Sequence, residues 1–261
     1  MSDRGKREFW RRLFVLAALA GALVVAGERP ARADFKVYSP YVVKGEAEIE
    51  TEGFRSFDRA AAKNDARGYN LALAYTPTDY WRPEIEGEWA GSPGGGTAFV
   101  ASTFENVFQL TPQGEYAADF GALAEISRGF GAGSPDSVNF GPIVAKSFGR
   151  LDATLNLFFA HDIGPNGSGG TAVTYAAQAK WRWRPAFQPG VEFFGDPGTL
   201  GHFRAYGDQD NRAGPVIVGY VPLPSFGLGA ALRYDVGYLF GASRAAPSGT
   251  LKGQVEYEFY F

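Results

Sequence analysis

The chain contains no cysteine, one methionine and two histidines, His161 and His202. The first absence excludes a disulfide framework, a thiolate metal centre and a cysteine nucleophile. Two histidines so far apart leave little for a histidine-built metal site. Beyond residue 33 no stretch approaches the ~18 consecutive apolar residues of a membrane-crossing helix. Positive charge is not in excess either, with 25 Lys and Arg against 28 Asp and Glu. What is abundant is glycine, at 35 residues, and aromatic side chains, at 15% of the 261. That combination favours strands and turns over helices.

Residues 1–33 read as a cleavable secretory signal. Arg4, Lys6, Arg7, Arg11 and Arg12 precede an apolar core from Leu13 to Val25, and Ala31-Arg32-Ala33 supplies the small-x-small cleavage pattern. About 13 apolar residues are too few to span ~30 Å as a helix, so an anchor is the weaker reading. Arg11-Arg12 also resembles a twin-arginine pair. Cleavage leaves a mature domain over 34–261 with 18 basic and 25 acidic residues, a formal net charge of −7. A nucleic-acid partner, which requires a basic face, is excluded on that balance. An exported chain without thiols suits an oxidising compartment.

Period two dominates the mature chain. Glu46, Glu48, Glu50 and Glu52 alternate with Ala47, Ile49 and Thr51, and Glu84, Glu86 and Glu88 alternate with Ile85 and Gly87. From Thr171 to Arg184, Val173, Tyr175, Ala177, Ala179, Trp181 and Trp183 oppose Thr174, Gln178, Lys180, Arg182 and Arg184. Similar sorting runs from Tyr116 to Ile126, Leu151 to Phe159, Leu228 to Phe240 and Leu251 to Phe261. A helix would scatter these residues around its circumference, whereas a strand separates them onto two faces. The count is about twelve strands. Connectors alternate between long Gly/Pro/Asp/Asn-rich segments and tight turns, the pattern of an up-and-down barrel with one short-turn rim. The expectation is an all-β, antiparallel transmembrane β-barrel, with a secreted sandwich as the soluble alternative.

Three features choose the membrane. The apolar face is aromatic at its ends, the opposite face holds too many ionisable groups for a small dry core, and the chain stops on a strand ending in Phe. That final strand, with Val255, Tyr257, Phe259 and Phe261 on one face, resembles the closing strand of Gram-negative outer-membrane proteins. The resemblance implies an outer-membrane location in a Gram-negative bacterium and contact with outer-membrane lipids. It also implies that these four residues act as the signal to the barrel-assembly machinery. The overall shape further resembles uncharacterised outer-membrane transporter barrels of phenol-degradation gene clusters, with no motif that settles the subfamily.

A barrel of this size lies between side-chain-filled barrels and open porins, so a narrow charged lumen is expected. Its acidic lining is Glu46, Glu48, Glu50, Glu52, Glu84, Glu86, Glu88, Glu256 and Glu258. Lys180, Arg182 and Arg184 face it from strand eight, and Arg233 and Asp235 complete the set. Two readings use the same residues: a transverse field selecting small solutes by charge, or cross-lumen ion pairs that plug the barrel. The first makes the protein a channel or transporter, the second a structural or surface-binding barrel. A hydrolase is the minor third reading, on His161, Asp162 and Ser168. No catalytic set, metal site or cofactor emerges otherwise. Gly91-Ser92-Pro93-Gly94-Gly95-Gly96 lacks the Lys-Ser/Thr of a phosphate-binding loop, and Asp208, Asp210 and Asn211 offer calcium only an incomplete loop. Residues 34–43 are equally compatible with the periplasmic side and with an extension of strand one.

Overall fold

A computed structural model describes residues 35–260 except 132, 168 and 227–228. The proposed signal and Asp34, Ser168, Leu228 and the terminal Phe261 therefore lie outside the described residues. The strands are β1 (Glu46–Phe57), β2 (Arg67–Tyr75), β3 (Trp81–Gly91), β4 (Thr97–Gln109), β5 (Asp119–Gly129), β6 (Asp136–Phe148) and β7 (Leu151–Ile163). They continue with β8 (Thr171–Trp181), β9 (Gln188–Thr199), β10 (His202–Phe203), β11 (Asp210–Pro222), β12 (Ala231–Gly241) and β13 (Gly249–Tyr260). Sequential strands pair antiparallel, β8 pairs with β9, and β13 pairs with β1 across the seam. Twelve long strands thus close a barrel. The two-residue β10 only folds back on β9 at one rim.

The long strands run from 9 to 13 residues, enough to cross a bilayer when tilted at about 45°. Their faces are inverted relative to a soluble protein. Leu73, Ile85, Phe104 and Ile126 are directly opposite one another on β2, β3, β4 and β5, and all four are exposed. The residues between them, Glu84, Thr103 and Glu105, are buried. The pairing places the start of β1 and the end of β13 on one rim, here the terminal rim, and the 58–66 loop on the other.

Four details depart from the sequence reading. Strand five begins at Asp119, so Tyr116 and Ala118 sit in a connector over 110–118 as long as the 58–66 loop of the opposite rim. The contrast in loop length is accordingly weaker than expected. On β8 the register shifts between Val173 and Tyr175, and Val173 and Ala176 are both buried. The bulge lies in β9, where Asp196 and Pro197 oppose Thr174 alone, an irregularity that the alternation of β8 does not signal; Val173 stays on the outer face opposite Phe159. β8 also ends at Trp181, which leaves Arg182 and Arg184 outside the strand. Finally, residues 35–43 neither extend β1 nor lie beneath the barrel; they run inside it.

Candidate functional site

The segment 35–43 is threaded through the lumen. Near the terminal rim, Gly45 turns the chain from the segment into β1 with φ +85°, a conformation that costs glycine little. Above the turn, the Val42 backbone N–H donates to Gln109 Oε1 at 3.0 Å, and the Tyr41 hydroxyl donates to Asp119 at 2.6 Å. Gly121 gives Pro40 room, since a Cβ there would come within 2.8 Å of it. Tyr38 is held most firmly. Its backbone N–H donates to Asn156 Oδ1 at 2.8 Å, while Asn156 Nδ2 donates to the Tyr38 carbonyl at 3.0 Å. One buried amide thus satisfies both backbone groups of a residue that has no strand partner. The Tyr38 ring packs among Val107, Leu123, Ile143 and Phe158, and its hydroxyl donates to Glu105 at 2.9 Å and Glu125 at 3.2 Å. Farthest from the terminal rim, Phe35 packs edge-on against Phe54 and Phe194, with the Arg212 guanidinium 4.7 Å from its ring centre.

The only basic residue in this segment meets the acidic wall. Lys36 Nζ lies 2.8 Å from Glu50, 3.5 Å from Glu84 and 4.0 Å from Glu105. Arg82, on the same face of β3 as Glu84, reaches Glu48 at 3.0 Å, Glu105 at 3.6 Å and Glu84 at 3.8 Å. Glu50, Glu84 and Glu105 are only 1–2% exposed. Isolated carboxylates at that depth would be prohibitively costly, so the two cations hold this layer together.

A second layer joins Lys252 to Glu192 at 2.7 Å and to Asp235 at 3.2 Å, with Gln178 donating to both carboxylates. A third sits nearer the far rim, where Arg212 binds Asp210, Ser56 and Thr250.

The expected residues divide accordingly. Glu46, Glu48, Glu50, Glu84 and Glu258 are buried in the lumen wall, Glu46 accepting from the Tyr260 hydroxyl and Glu258 pairing with Arg233. Glu52, Glu86, Glu88, Lys180 and Glu256 are half-buried. Asn70 donates to Glu86 and Thr103 to Glu88. Arg182 and Arg184 do not face the acidic seam: both are exposed at the rim, Arg182 pairing with Asp152 and Arg184 lying over Trp183. Their place is taken by Lys36, Arg82 and Lys252. Arg82 was readable, since it shares parity with Glu84, Glu86 and Glu88. Lys36 carried no signal, because nothing local to residues 35–43 says that they enter a barrel. Val255, Tyr257 and Phe259 lie on the outward-facing rows of β13.

Other sequence candidates are otherwise engaged. His161 contacts the Gly170 carbonyl and the Thr171 hydroxyl, while Asp162, the next residue on the strand, projects to the opposite face. Asp208 pairs with Arg244 and Asp210 with Arg212.

Above Lys36 and Tyr38 the lumen widens into a cavity of about 300 Å³. Its wall comes from the strand halves nearest the far rim and includes Glu52, Glu86, Glu88, Glu125, Asn70 and Asn139.

No family model and no curated protein sequence matches the chain. Among solved structures it is similar to the NanC porin at a TM-score of 0.51 and 10% identity, covering 82% of this chain and 100% of that one. LpxR from Salmonella typhimurium aligns at a TM-score of 0.44 and 11% identity over 82% of this chain and 100% of that one. OprD from Pseudomonas aeruginosa aligns at 0.39 and 10% over 84% and 67%. With its closed twelve-strand barrel, its inverted faces and its likeness to NanC, the chain has the fold of the outer-membrane porin barrels.

Proposed function

We propose that this protein is an outer-membrane channel for small solutes, exported by the cleavable leader at 1–33, and that residues 35–43 close its lumen at rest. The observation that carries this reading is the acidic cavity that ends on Lys36 and Tyr38. A barrel filled for rigidity alone has no need of such a space, whereas a solute path interrupted by a removable segment leaves one. The terminal rim is then periplasmic and the far rim extracellular. An excess of carboxylates along the wall favours cations.

Planar-bilayer recording tests it. The intact protein is expected to be mostly closed, and a variant lacking residues 35–43 to show discrete, cation-preferring conductance. Glu48→Gln and Glu86→Gln in that background should each reduce the preference. A folded deletion variant that stays silent would overturn the channel reading. The plugged structural barrel, favoured by the buried ion pairs that hold the segment, would take its place.

A further inference from the structure

We infer that Lys36 is a built-in occupant of a site for small organic ammonium or guanidinium cations, and that such solutes open the lumen by exchanging with it. The inference rests on the channel reading above and names its solute class and its gate.

Three strands supply the site: Glu50 from β1, Glu84 from β3 and Glu105 from β4 surround a single ammonium. Lys36 does not exhaust them. Glu84 Oε2 and Glu105 Oε1 are buried and make no hydrogen bond among the described residues, with Arg82 at 3.8 Å and 3.6 Å as the neighbouring cation, whereas Glu50 Oε1 is held by Lys36 at 2.8 Å. A free diamine or a guanidinium, with more donors in a wider arrangement than one tethered ammonium, satisfies more of these oxygens.

Charge balance dictates exchange rather than simple departure. With Lys36 in place, Glu48, Glu50, Glu84 and Glu105 face two cations; without it they face Arg82 alone. Stranding buried carboxylates in this way strongly disfavours an empty site, so the segment stays until another cation takes its place. The cavity reaches Lys36 beside the site, and although Glu50, Glu84 and Glu105 do not line it, its acidic wall concentrates cations next to the exchange point. A solute shifts the equilibrium only by binding the open form better than the closed one, which competition for one site ensures.

The test uses putrescine as the cation and glutamate as the control, added from the cavity side to the intact protein in a planar bilayer. Putrescine should raise open probability about tenfold or more, and glutamate should leave it unchanged. Lys36→Met should open the lumen without amine and remove the amine dependence of gating. Glu105→Gln, which keeps the shape of the site, should weaken the response to putrescine. Folding of each variant is checked by heat-dependent mobility on a gel. The inference is overturned if amines leave the intact protein's gating unchanged while the variant lacking 35–43 conducts. If that variant is silent the channel reading fails instead. Calorimetric titration of putrescine into the folded deletion variant then decides the site alone: saturable binding, reduced by Glu105→Gln, supports it, and absence of binding overturns it.

Discussion

At the residue scale, the lumen shows how the chain tolerates so many buried charges. Lys252 and Glu192 are both nearly inaccessible, and each is tied to a further polar partner. Removing one member leaves the other charged and unpaired, which costs about 3–5 kcal/mol, while removing both is far milder. Lys252→Met should therefore destabilise the barrel strongly in a urea titration, and Lys252→Met with Glu192→Gln should recover much of the loss. Equal damage in the single and the double variant would show that the pair is not what matters. Outside the bilayer, Asp58 ties the first long loop to the last. It accepts from the Ala60 and Ser248 backbone N–H groups and from the Ser248 hydroxyl, which hold its carboxyl down at about 2. Because the folded value lies below the ordinary carboxylate value, the tie is fully present above about pH 4 and is lost as pH falls through about 2. The protection of the Ser248 amide against hydrogen exchange, relative to an unprotected amide at the same pH, should hold at pH 5 and be lost as pH falls through about 2. Asp58→Ala should expose it at every pH.

At the element scale, parity was legible and context was not. Alternation alone sorts Glu84, Glu86 and Glu88 from Ile85 and Gly87, because each strand repeats every two residues whatever its neighbours do. It assigned the glutamates of β1 and β3 to the face that the structure turns inward. It failed at Arg182 and Arg184, where the same alternation continues past the end of the strand into a turn, and it gave no sign of the bulge in β9. It was silent on residues 35–43, whose conformation is set by Asn156, 118 residues away, and by a wall that exists only once the barrel closes. The seat of that segment is nonetheless simple. Gly121 faces Pro40 at a separation that leaves no room for a side chain. Gly121→Val should push the segment from the wall without removing any charged partner of Lys36. The expected result is faster proteolysis of residues 35–43 and a higher open probability, with folding of the barrel checked by heat-dependent mobility because the same Cβ also meets the Phe108 carbonyl of β4 at 2.9 Å. A segment as protected as in the parent would mean that Pro40 is not part of its anchoring.

At the scale of the whole molecule, the inverted faces make the decisive claim, because every lumen contact presumes that the outer surface meets hydrocarbon. In hydrocarbon each backbone polar group must pair within the sheet, and the β13–β1 and β8–β9 pairings complete that circuit. Leu73, Ile85, Phe104 and Ile126 form one row across β2 to β5, with Ile85 and Phe104 near mid-strand and Leu73 and Ile126 nearer the strand ends. On a water-soluble barrel these exposed apolar residues would be a liability, and replacing one by arginine would be neutral or helpful. In a bilayer the same change places a cation near the midplane at a cost of about 2–4 kcal/mol. Ile85→Arg and Phe104→Arg should each lower stability by that amount when the protein is folded into phospholipid vesicles and titrated with urea. Phe57→Arg, at the far-rim end of β1, should cost about 0–1 kcal/mol. The gradient with depth is the informative quantity. Arginine tolerated equally at Ile85 and at Phe57 would remove the lipid-facing assignment, and with it the reason for a charged interior.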